Sequence, residues 1–135
     1  MLDKERIALA KYRIEKAKAS LKVSKLAIDE GYYSDSANRS YYAVFYAINA
    51  LFSLSGKSFK KHTGVITNFG LDYIQTGIIE PEYGHIANLA FRVRTKTDYS
   101  DFYVVSKEDV LKQYENAVKF VDRIEKYLLS QTDNS

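Results

Sequence analysis

Cysteine and tryptophan are absent from this chain, methionine and proline occur once each, and histidine occurs only at His62 and His85. Without cysteine there is no disulfide framework and no thiolate metal site, so a cytoplasmic location is the default expectation. Two histidines so far apart in sequence do not form a ligand pair at helical spacing, so neither a metal nor a cofactor is expected. No apolar run approaches the roughly 18 residues of a membrane span, and the charged amino terminus lacks the apolar stretch of a secretory signal. Strong charge of one sign is missing too: a net charge of +3 permits contact with nucleic acid without demanding it.

What is present fits one soluble domain. With 135 residues, 46% of them apolar and 27% charged, the chain is long enough to bury a core. Tyrosine is the outlier, with 12 copies. Its ring packs while its hydroxyl seeks a partner, which suits half-buried helix seams and interfaces, with a base-stacking surface as the alternative.

Helical periodicity runs through most of the chain. Ile7, Ile14, Leu21 and Ile28 recur every seven residues, with Ala10, Ala17 and Ser24 between them, predicting a first helix from about Asp3 to Glu30 that Gly31 terminates. A second helix is expected from Asp35 to Ser55 with Gly56 as its stop, and a third from His62 to Gln75 with Val65, Ile66, Phe69 and Ile74 inward. The fourth starts near Pro81, carries Ile86, Leu89, Ala90 and Val93 and fades near Thr97. Asp98 to Val105 reads as a loop. Ser106 caps the last helix, whose seam is Val110, Tyr114, Ala117, Val121, Ile124 and Leu128. No strand pattern survives, which predicts an all-α antiparallel up-and-down bundle of four to five helices. Residues 1–130 make one helical domain, and 131–135 a disordered polar tail.

The second helix holds the main functional clue. Arg39, Tyr42, Tyr46 and Asn49 follow one another at steps of three, four and three, forming one stripe, while Tyr41, Val44, Ile48 and Leu51 read as core. A helix that is apolar nearly all round is buried, and a guanidinium on it needs a partner or a solvated groove. Farther on, Arg92, Arg94 and Lys96 precede Asp98 and Asp101. Arginine and aspartate here can staple the following loop, or Arg92 or Arg94 can join Arg39 in a phosphate-binding groove. Two local motifs fail. Ser55-Gly56-Lys57-Ser58 ends like a phosphate-binding loop, but Leu51 stands where its first glycine belongs. Asn38-Arg39-Ser40 fits a glycosylation triplet but lies inside a helix.

The order of these features is familiar: Gly31-Tyr32-Tyr33, Asn38-Arg39-Ser40-Tyr41-Tyr42-Ala43-Val44-Phe45-Tyr46-Ala47, Lys61-His62, Arg94 with Thr97-Asp98-Tyr99, and Ser106-Lys107-Glu108-Asp109. The chain resembles the HEPN superfamily, and within it the small prokaryotic branch with an Arg-x-x-Tyr-Tyr-Ala-x-Phe-His-like helix. The resemblance covers about Leu2 to Leu129. It implies a HEPN-like helical bundle that pairs into a homodimer and binds RNA, a nucleotide or a protein, with a small nucleotidyltransferase as a candidate partner in a toxin–antitoxin-like pair. Many such proteins are metal-independent ribonucleases that use an arginine followed four to six residues later by histidine. This chain has no such pair, since Tyr46 stands where the related branch has histidine. In-line attack by a 2′-hydroxyl benefits from a group that exchanges protons near neutral pH, as histidine does and tyrosine, at about pKa 10, does not.

The residues therefore point to Arg39, Tyr42, Tyr46, Asn49 and Arg94 as phosphate- or nucleotide-binding groups, with no membrane partner. The reading leans away from an enzyme. Two rivals remain: a ribonuclease in which Arg39 binds phosphate and Tyr46 or His62 replaces the missing acid–base group, and a structural assembly module in which Arg39 pairs with Asp98 or Asp101.

Overall fold

The computed structural model describes residues 3–100 and 103–133, and it is an all-α bundle. Its helices are α1 (Lys4–Asp29), α2 (Tyr33–Ser55), α3 (His62–Phe69), α4 (Pro81–Tyr99) and α5 (Lys107–Thr132), with no strand among the described residues. The centre is α2, which packs against all four other helices. Small side chains make this possible, since Ala43, Ala47 and Ala50 are fully buried and let neighbouring backbones approach.

Helix ends follow the expected chemistry. Asp3 caps α1 by accepting from the Glu5 N–H at 2.8 Å. Gly31 then adopts φ 83°, and the N–H groups of Gly31 and Tyr32 close on the carbonyls of Ile28 and Ala27 at 3.0 and 2.7 Å. This paired closure needs a left-handed residue, which glycine supplies without steric cost. Gly56 ends α2 in the same way, with φ 72°. Ser106 caps α5 through the Asp109 N–H at 3.1 Å.

The seams are apolar where periodicity places them. Ile14, Ala17, Leu21 and Ile28 of α1 are buried, as are Val110, Ala117, Val121, Ile124 and Leu128 of α5. Phe120, outside the expected seam, is also fully buried and packs on Phe69 and Tyr83 at ring-centroid distances of 5.5 and 6.1 Å. Between α1 and α2 lies a row of buried serines. Ser24 Oγ meets Ser36 Oγ and Ser40 Oγ at 2.8 Å each and donates to the Ser36 carbonyl at 3.0 Å. One turn earlier on α1, Ser20 donates to the Arg39 carbonyl at 2.9 Å.

Several expected boundaries shift. The third helix ends at Phe69 and continues as a π turn, Gly70–Ile74, in which the Gln75 N–H reaches the Gly70 carbonyl at 2.9 Å. Helix α4 runs past Thr97 to Tyr99, so Asp98 is helical, whereas Asp101 lies outside the described residues. The buried residues of α4 are Tyr83 and Ala87, while Leu89 is exposed. Helix α5 extends through Thr132, which makes Gln131 and Thr132 helical rather than tail, and 134–135 lie outside the described residues. No helix among the described residues is long and apolar enough to cross a membrane.

Candidate functional site

The stripe on α2 forms as helical spacing dictates: Arg39, Tyr42, Tyr46 and Asn49 are all half-buried. The Arg39 guanidinium lies over the Tyr42 ring, 5.0 Å from its centroid, and the rings of Tyr42 and Tyr46 are 5.8 Å apart. From α1, Lys16 places its ammonium 4.8 Å from the Tyr46 ring centroid. Arg39, Tyr46, Lys16, Ser20 and Val23 line a shallow groove of about 170 Å³ between α1 and α2.

Arg39 has no carboxylate partner among the described residues. Its Nε and one terminal nitrogen donate to the Asn38 side-chain carbonyl at 3.3 and 2.9 Å, a neutral acceptor that leaves the positive charge uncompensated. The pairing of Arg39 with Asp98, one form of the structural rival, does not occur: Asp98 is taken by Arg94 one helical turn before it, at 2.9 Å. That contact is ionic without being aligned as a hydrogen bond, so the buried Nε–H of Arg94 remains without an acceptor.

Arg94 reaches the stripe from α4. Its guanidinium carbon lies 5.5 Å from the Tyr41 ring centroid and 5.9 Å from that of Tyr42. Tyr42 is thus the shared neighbour of two guanidiniums, one from α2 and one from α4. Ring faces carry negative quadrupole density, so they hold cations close without neutralising them.

His62 opens α3 and closes the cluster on a third side. Its ring stacks on Phe45 with centroids 4.2 Å apart and an interplanar angle of 19°, and stands edge-on to Tyr42 at 6.0 Å. Nδ1 lies 2.7 Å from the Tyr41 hydroxyl. Burial, together with the nearby Arg94 charge, holds the His62 pKa below the ordinary imidazole value. Burial pushes the Tyr41 phenol in the opposite sense, upward, so it stays protonated.

Arg39, Tyr42, Tyr46, Arg94 and His62 are therefore brought together around α2. Asn49 is not: its side-chain amide nitrogen donates to the Phe45 carbonyl at 3.2 Å, and its backbone carbonyl accepts from Arg13 of α1 at 3.3 Å. Tyr41 and Phe45, which position His62, were not among the expected site residues. A tyrosine on an otherwise apolar, fully buried face is the signal that could have found one of them, because a buried hydroxyl needs a partner. No group of three or more histidine, cysteine, aspartate or glutamate side chains among the described residues is placed to hold a metal ion.

Known proteins resemble this chain over most of its length. The model of the HEPN domain matches residues 10–127. A protein of Methanocaldococcus jannaschii named "Putative toxin" is 38% identical over 115 residues, covering 85% of each chain. The "UPF0332 protein" of Thermotoga maritima is 34% identical over 128 residues, covering 95% of this chain and 96% of its own. A second "Putative toxin" of M. jannaschii is 30% identical over 118 residues, covering 87% of this chain and 80% of its own.

Proposed function

The chain belongs to the HEPN family, and we propose that it is a homodimeric, toxin-like module that holds RNA phosphates between Arg39 and Arg94 without cleaving the strand. The single observation that carries this reading is the charge state of the cluster. Two guanidiniums from different helices flank one tyrosine ring, and Arg39 has only the neutral side chain of Asn38 as a polar partner. A half-buried cation without a carboxylate is poised for an external anion, and guanidinium binds phosphate through a planar fork. Tyr42 and Tyr46, adjacent on the same face, offer rings on which an unstacked base can lie. Two relatives bear the name "Putative toxin", which favours a role of that kind here.

Pairing of two copies draws on α1. Leu9, Tyr12, Val23 and Leu26 are all exposed, and with Lys16 and Ala19 they repeat at alternating steps of three and four. That is the spacing of a helix–helix seam with nothing packed on it. Val23 also lines the Arg39 groove, so a second copy seated on the seam would border the phosphate site.

Fluorescence anisotropy with single-stranded RNA in the presence of chelator tests the binding. Arg39→Ala should weaken binding about tenfold and reduce the salt slope by about one phosphate contact. Equal binding by wild type and Arg39→Ala overturns the site, and strand cleavage that Arg39→Ala abolishes would favour the ribonuclease instead. Light scattering should give a dimer that Leu26→Glu dissociates, whereas a strict monomer across concentration removes the pairing.

A further inference from the structure

The hydroxyl of Tyr41 is fully buried, and its one hydrogen-bond partner among the described residues is His62 Nδ1 at 2.7 Å. A buried O–H must place its hydrogen on an acceptor, and the only acceptor in reach is an unprotonated Nδ1. The opposite arrangement, with Nδ1–H donating to the phenol oxygen, would strand the Tyr41 hydrogen in an aromatic pocket walled by Tyr42, Phe45 and Phe91. The cost of a stranded buried donor favours the first arrangement by about tenfold or more.

From this geometry we infer that Tyr41 locks His62 in the tautomer with its proton on Nε2, so that the ring offers a phosphate oxygen a neutral hydrogen-bond donor beside Arg94. Three further observations agree. Stacking on Phe45 and the edge contact with Tyr42 clamp the ring plane, which removes rotation as an escape. Nε2 sits across the ring from the buried phenol and has no partner among the described residues, and the residue as a whole is partly exposed. Finally, Arg94 uses its Nε side on Asp98 and lies over the same tyrosine rings that flank His62, which favours an anion at that place. A nitrogen that already carries its proton cannot accept another. The lock therefore explains how the site can hold a phosphodiester while the neutral imidazole is barred from acting as the base that would cleave it. In these terms Tyr41 is a positioning residue and His62 a binding residue.

The inference extends the phosphate-binding reading, but its first test is independent of it. Long-range proton–nitrogen correlation spectra of the 15N-labelled full chain at mildly alkaline pH report each histidine tautomer, with a His85→Gln variant assigning the two rings. His62 should show a protonated Nε2 and an unprotonated Nδ1, and Tyr41→Phe should shift the ring toward a mixture of tautomers. A protonated Nδ1 in the wild type overturns the lock, as does an unchanged tautomer in Tyr41→Phe. Should Tyr41→Phe fail to fold, the wild-type spectrum still decides. In a second arm, inorganic pyrophosphate is titrated into wild type, His62→Gln and His62→Leu. Glutamine can present an amide N–H near the place of Nε2, so it should keep affinity within about threefold, while leucine should lose about tenfold. A locked tautomer with no pyrophosphate response at His62 overturns the donor role and counts against the phosphate-binding reading. Pyrophosphate binding with the other tautomer overturns the lock alone.

Discussion

One stretch of α2 carries polar side chains on two faces, and the two faces are used oppositely. Toward α1, Ser36 and Ser40 meet Ser24 in a network that is buried and closed, with each hydroxyl within 2.8 Å of another. On the other, Tyr42 links Arg39 to Arg94 of α4 and His62 of α3 in a cluster whose donors exceed its acceptors. The first face has the economy of a structural joint, where polar groups satisfy one another and exclude solvent. The second leaves guanidinium N–H groups over: Arg94 has Asp98 beside it, but Arg39 has only the neutral side chain of Asn38 where a structural role would have supplied a carboxylate. The difference teaches that polarity on a packed helix marks function when its hydrogen-bonding capacity is left unspent.

Substitutions can break this contrast. The largest effect is expected for Ser24→Leu, which overfills a fully buried site and strands the hydroxyls of Ser36 and Ser40. Urea denaturation should register a loss of about 3 kcal/mol. Ser24→Ala removes the hydrogen bonds alone and should cost about 1 kcal/mol in the same assay. Next comes a pH effect on the open face. The folded chain binds a proton at His62 more weakly than the unfolded chain does, so stability is complete above the ordinary imidazole pKa of about 6.5 and declines as pH falls below it. Denaturation of wild type and His62→Gln at several pH values should show that the variant loses this acid-side tilt. The smallest change in stability is expected for Arg39→Ala, within about 0.5 kcal/mol, because no ion pair is broken. A loss of several kcal/mol there would mean that the open face is a second joint, and the contrast would collapse.

The closed face was more legible in the sequence than the open one. The α1 seam of Ile14, Leu21 and Ile28, with Ser24 among its small residues, follows from a seven-residue repeat, and Gly31, Gly56 and Ser106 mark ends whose chemistry is local. The stripe of Arg39, Tyr42 and Tyr46 was legible for the same reason, since one helix fixes it. The bond between Tyr41 and His62 was not, because it joins residues 21 apart whose meeting depends on how α3 leans on α2. Arg94 could be named as a candidate, but its partner Asp98 hinged on whether α4 continued past Thr97, and helix ends are poorly marked without a capping residue. The inner side of α4 was not legible either, because this helix mixes apolar and polar residues on most of its faces and leaves Leu89 exposed. Tertiary packing, mainly against α2, makes Tyr83 and Ala87 its buried residues.

The π turn at Gly70–Ile74 has a consequence for how such chains diverge. Five-residue closure accommodates one more residue than an α-helical turn, so in evolutionary terms the turn is equivalent to a single-residue insertion absorbed without a loop. A descendant that lost one residue here would keep a continuous helix while everything beyond the deletion rotated by about 100°. Tyr73 would swing away from Phe69 and Phe52, whose rings it now meets at 6.0 and 5.8 Å, and from the Leu51 carbonyl on α2. Such a chain would align almost perfectly letter by letter and yet have to rebuild the packing at this end of its core.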